Sequence, residues 1–198
     1  MMKVFEAIIP ILEDKGSMTI SSICAEVNRR LSSEFEKPLL PVHIQSIINR
    51  KKDLFQIQEG EISIAPDKKP FFLMATLEGE HGICYQVNVN FTKKRFTYFE
   101  WRNLPRQEGK NSFFPKSSGD LDEFKSEIFN MKIWEWRPLY ATSEGIHLGE
   151  TNWTVKLVTN GKIYYSEGTD CYPTEWRRFC RAIEKLTGSN FSAKTKKE

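Results

Sequence analysis

The first 66 residues contain no tryptophan and no tyrosine. Their only aromatics are Phe5, Phe35 and Phe55, while all five tryptophans lie beyond residue 100. One shared core is hard to build from so uneven a supply, and two domains with different cores are expected. Apolar runs are short, and none approaches the ~20 residues that a membrane helix needs. The opening MMKVFEAIIPILEDKG has acids among its first fifteen residues and no small-residue cleavage site. It does not read as a secretory leader, so a cytoplasmic location is expected. The four cysteines, Cys24, Cys84, Cys171 and Cys180, are widely scattered and read as reduced thiols.

Catalytic signatures are equally scarce. Of the three histidines, only His81-x-x-Cys84 has metal-ligand spacing, and no second close pair completes a tetrahedral set. There is no phosphate-binding glycine loop and no G-x-S-x-G elbow. Glu123-Phe124-Lys125 has the local pattern of a metal-dependent nuclease but falls on a predicted helix, where Asp120 and Asp122 serve as caps. Cys171, in EGTDCYPTEW ahead of a predicted helix, could have its pKa lowered by that helix, although an ordinary turn explains the segment equally. These absences point to a non-enzymatic protein with no cofactor, no bound metal and no membrane partner. An enzyme lacking all these motifs stays open as a third reading.

Charge is modest, at +3, and uneven. Residues 1–66 hold eight Lys or Arg against nine Asp or Glu, a net −1, whereas the remaining chain holds 21 against 17, a net +4. Such a balance permits nucleic-acid contact without arguing for it.

The apolar spacing predicts helices over 3–15 (Val4, Phe5, Ile8, Leu12), from Ser21 as cap (Ile23, Val27, Leu31), and from Pro41 (Ile44, Ile47, Ile48). Pro10 predicts a kink in the first. Met18–Ile20 is a short extended piece, and 54–64 reads as a hairpin turning at Glu59-Gly60. Ile8, Leu12, Ile23, Val27, Ile44, Ile48 and Ile57 are expected to share one core. The stretches VFEAIIPILEDKGSMTISSICAEV and PVHIQSIINRKKDLFQIQEGEISI resemble the small winged-helix (HARE-HTH-like) family seen in the delta subunit of bacterial RNA polymerase. That resemblance covers about a third of the chain and implies a winged-helix domain over 1–66.

Residues 66–70 (PDKKP) read as a linker to an α+β domain over 70–190, followed by a disordered basic tail over 191–198. Strands are predicted at 71–75, 83–91 and 96–101, then a polar loop over 102–119 and a helix from Asp120. Trp153, Val155 and Leu157 alternate, Asn160-Gly161 signals a type I′ turn, and a last helix carries Trp176, Phe179, Cys180, Ile183 and Leu186. The second half thus reads as two β-hairpin–helix units, 83–131 and 153–187, forming an antiparallel sheet with both helices on one face.

Two surfaces are candidates for binding. On the third helix, His43, Gln45, Ser46, Asn49 and Arg50 lie off the isoleucine face, with Lys51 and Lys52 following; short polar and basic side chains there suit base edges and phosphates. Any amphipathic helix also needs a polar face, and cations stabilise a helix C-terminus. Glu59 and Glu61 at the hairpin tip oppose phosphate contact. The second candidate pairs Lys93, Lys94 and Arg95, with Arg102 and Arg106 nearby, with aromatics among Phe96, Tyr98, Phe99, Trp101, Trp134 and Trp136 that could stack unpaired bases. The leading expectation is a regulator-like binding protein whose winged helix docks on duplex DNA or a nucleoprotein and whose C-terminal domain binds a second partner. The alternative is a protein–protein adaptor without DNA contact.

Overall fold

The structure is a computed structural model that describes residues 2–33, 37–79, 82–102, 119–141 and 151–192. His81, the 103–118 part of the expected polar loop, and 193–198 lie outside the described residues. The chain is α+β and divides into two compact units, 1–69 and 70–198.

In the first unit, α1 (Met2–Lys15) runs unbroken with Pro10 inside it. Next come β1 (Met18–Thr19), α2 (Ile20–Arg30), α3 (Pro41–Arg50), β2 (Phe55–Gln58) and β3 (Glu61–Ile64). The sheet order is β1-β3-β2, antiparallel throughout. Thr19, not Ser21, caps α2: its side-chain oxygen accepts from Ser22 N at 3.2 Å. Glu59 and Gly60 both take positive φ, 51° and 82°, as a type I′ turn requires. Ile8, Leu12, Ile23, Val27, Ile44 and Ile48 are buried together with Leu54, Ile62 and Ile64. Ile57 departs from the expected core, since it is 57% exposed while its cross-strand partner Ile62 is 1% exposed. α1 packs on the central strand β3 and meets the start of β2, where Phe5 lies edge-on to Phe55 at 6.5 Å. The expected linker forms a 3-10 turn, Pro66–Lys68, in which Lys68 N donates to Ala65 O at 2.8 Å.

The second unit has β4 (Pro70–Glu78), β5 (Ile83–Asn90), β6 (Arg95–Arg102), α4 (Leu121–Met131), β7 (Leu139–Tyr140), β8 (Asn152–Thr159), β9 (Ile163–Thr169) and α5 (Trp176–Thr187). The order is β6-β5-β4-β8-β9-β7. All pairings are antiparallel except β7 with β9, a short parallel edge that the expected antiparallel sheet did not include. β4 is central because its Leu73, Ala75 and Leu77 align with Val89, Val87 and Tyr85 on one side and with Leu157, Val155 and Trp153 on the other. This face is covered by both helices. Phe91 stacks on Phe124 of α4 at 6.3 Å, Trp153 meets Trp176 of α5 at 4.6 Å, and Arg178 pairs with Glu127 to tie α5 to α4.

Two local expectations change. Asn160 and Gly161 do not take positive φ, so the turn is not type I′. The Thr159 hydroxyl closes it instead, accepting from Lys162 N at 2.9 Å. Gly168 belongs to β9, where a Cβ would fall 2.6 Å from Cys171 O and 2.7 Å from the Trp153 indole nitrogen. The tail does not begin at 191: Phe191 is fully buried, with its ring 6.2 Å from Tyr85 and 6.5 Å from Phe179.

The two isoleucines of the first unit give a direct check. Ile44→Ala should lower stability by about 2–5 kcal/mol, the range for emptying a filled core site. Ile57→Ala should change it by less than about 0.5 kcal/mol. Denaturant unfolding followed by helical circular dichroism measures both, and equal losses would contradict the packing described.

Candidate nucleic-acid interface

α3 is built outward from its start. Pro41 presets the first turn, and Leu40 N donates to His43 Nδ1 at 3.1 Å. That bond uses His43 as a cap, keeps Nδ1 an acceptor and leaves only Nε2 to face solvent. Ile44, Ile47 and Ile48 are buried, which turns His43, Ser46, Asn49 and Arg50 outward, all exposed.

Gln45 and Asn49 sit one turn apart, and Gln45 Nε2 donates to Asn49 Oδ1 at 2.9 Å. The pairing holds both amides in one orientation and leaves Asn49 Nδ2 as donor and Gln45 Oε1 as acceptor on the outer side. Arg50 Nε donates to Ser46 O at 3.2 Å, which folds the arginine back along the helix. Lys51 is drawn toward the core, its Nζ 5.1 Å from the centre of the Phe5 ring, and Lys52 is exposed.

Charge elsewhere in the unit is gathered around Glu26, which is 8% exposed. Its carboxylate binds Arg29 and Lys15, the latter at 2.8 Å, with Arg30 Nε at 3.6 Å. The Arg29 guanidinium, helped by Lys15, lowers the Glu26 pKa to about 2. Three of the eight Lys and Arg among residues 1–66 therefore surround one acid, and Arg50, Lys51 and Lys52 form a consecutive basic step elsewhere in that stretch.

Other features of this surface were not anticipated. Leu40 and Val42 are 56% and 63% exposed at the start of α3. The signal was present, since Val42 interrupts an otherwise polar side. Glu59 and Glu61 are exposed at the hairpin tip, where Ser17 Oγ donates to Glu61.

The second candidate surface is redrawn. Lys93, Lys94 and Arg95 are exposed around the β5–β6 turn, with Lys94 Nζ 3.3 Å from Asp122. Trp134 and Trp136 do not join them. Trp134 is 8% exposed and packs edge-on to Phe129, while Trp136 lies against Phe179, Trp153 and Trp176. The 3-10 turn Ile133–Glu135 after α4 buries the Trp134 indole and leaves Trp136 half-buried against those three rings. Tyr98 likewise faces the helices, donating to Asn190 O at 2.8 Å.

Two of the thiols lie near α5. α5 begins at Trp176, five residues after Cys171, whose carbonyl accepts from Trp153 Nε1 at 3.0 Å. Burial pushes the Cys180 thiol up to about 12. Among the described residues, no cluster of His, Cys, Asp and Glu could hold a metal ion, and no helix is long and apolar enough to cross a membrane. Comparison with known protein families, curated proteins and solved structures finds no match to this chain.

Glu26 supplies a pH test. Its folded pKa is depressed, so its contribution is complete above the ordinary carboxylate pKa of about 4.3 and disappears as pH falls toward about 2. Glu26→Gln should therefore melt lower than the parent at pH 7, and the gap should close between about pH 4 and pH 2. A gap that persists unchanged at pH 2 would show that Glu26 acts through packing alone.

Proposed function

We propose that this chain is a non-enzymatic nucleic-acid-binding protein, that its first unit is a winged helix, and that α3 docks on duplex DNA or a nucleoprotein. In this reading the protein is a cytoplasmic regulator whose second unit engages another partner. The observation that carries it is the outward edge of α3: Ser46, the braced Gln45–Asn49 pair and Arg50 form one exposed row on a helix anchored by three buried isoleucines. An amide edge with a donor beside an acceptor matches the adenine edge in the major groove, and the Arg50–Lys52 step suits phosphate. Helix, strand, helix, helix and hairpin in this order support the resemblance to the HARE-HTH-like family.

The adaptor reading is favoured by a separate observation. Leu40 and Val42 are exposed apolar side chains at the start of α3 that would enter a groove, and Glu59 and Glu61 would repel phosphate.

Binding of duplex DNA by the full chain separates the two. On the DNA reading, Arg50→Ala and Lys52→Ala each weaken binding across all sequences without unfolding the unit. Asn49→Ala instead relaxes sequence preference, by roughly 1–3 kcal/mol at one base pair. Glu59→Lys combined with Glu61→Lys strengthens binding. A duplex affinity indifferent to all five changes would remove α3 from the interface.

A further inference from the structure

Both helices of the second unit cover one face of its sheet, and the strand register defines what the opposite face carries. Phe72, Val158 and Ile163 are aligned side by side across β4, β8 and β9. The next row is Met74, Lys156 and Tyr165. On the other flank, Phe72 continues through Asn90 to Arg95. A sheet face turned to solvent is ordinarily polar, and this corner is not. Ile163 is 57% exposed and Tyr165 45%.

Cations surround the apolar corner. Arg95 closes the first row, Lys156 stands in the second, and Lys93 lies in the β5–β6 turn. None of the three forms an ion pair among the described residues. Of the acids of this face, Glu78 stands at the opposite end of β4, and Glu167 lies in the third row, where it accepts from the Tyr165 hydroxyl at 2.8 Å.

We propose that this aromatic and basic corner of the helix-free sheet face binds single-stranded nucleic acid, stacking unpaired bases on Phe72 and Tyr165 and holding the backbone with Arg95, Lys156 and Lys93. The strand positions favour this occupant over a peptide. Peptides that add to sheets take main-chain hydrogen bonds from an open edge. β4 and β8 are interior strands, hydrogen-bonded on both sides, so a ligand lying over them is held by side chains alone. Ring faces and fixed cations suit stacked bases on a phosphate chain. The site is independent of whether α3 contacts duplex DNA.

The test is fluorescence anisotropy of the full chain with a labelled oligothymidine long enough to cross the sheet. Tyr165→Ala should weaken binding at least about five-fold, while Tyr165→Phe, which keeps the ring, should retain it. Arg95→Glu with Lys156→Glu should abolish binding at moderate salt, and the single Lys156→Ala should flatten the salt slope by roughly 0.7. The α3 triple change Asn49→Ala, Arg50→Ala and Lys52→Ala should leave oligothymidine affinity unaltered, which separates this site from the first unit's. Three results would each overturn the proposal: no oligothymidine binding at low salt, affinity insensitive to Tyr165→Ala and to the double charge reversal, or displacement of the oligonucleotide by a polyglutamate peptide as readily as by unlabelled strand.

Discussion

Three isoleucines on α3 are the constraint on which the first unit depends. Ile44, Ile47 and Ile48 are 0%, 6% and 1% exposed, and a helix has only one stripe to bury. Once they face Ile8, Ile23 and Val27, the outward direction of Ser46, Asn49 and Arg50 is determined by helical geometry. Anchoring also fixes what the surface side chains can do. The Gln45–Asn49 bond and the Arg50 contact with Ser46 hold polar groups in place on a rigid element, where a ligand meets them already oriented.

Electrostatics reinforces that focus. Residues 1–66, at net charge −1, have little long-range attraction for phosphate. Glu26 draws in Lys15, Arg29 and Arg30, while Arg50, Lys51 and Lys52 stand together at the C-terminal end of α3. The second unit distributes charge differently, binding its helix cations Arg178 and Lys185 to Glu127 and Glu123 of α4 while Arg95 and Lys156 stay on the opposite face of the sheet.

Helical and strand periodicity made most of this legible from sequence. The isoleucine stripe, the 83–90 alternation and the final helix follow directly from apolar spacing. What sequence could not show depends on partners distant along the chain. Ile57 has the right parity for the core yet is exposed, because α1 meets β2 at its start, where Phe5 packs on Phe55, and Ile57 lies two residues nearer the hairpin tip. Trp134 and Trp136 share a parity that suggested a surface, yet they follow α4 into a 3-10 turn and join a cluster built by Trp153, Trp176 and Phe179. Phe191 belongs to the core because Tyr85 and Phe179 wait for it from other elements. The apolar rows of the helix-free face were invisible for the same reason: Phe72, Val158 and Ile163 become neighbours only when β4 pairs with β8.

The most direct test of α3 as a nucleic-acid interface is the salt dependence of duplex DNA binding by the full chain. Each phosphate neutralised contributes roughly −0.9 to the slope of log affinity against log salt. With Arg50 and Lys52 as the phosphate contacts, the slope should be about −2, and should fall by about one when Lys52 becomes alanine. No duplex binding at low salt, or an affinity independent of salt, would contradict the account.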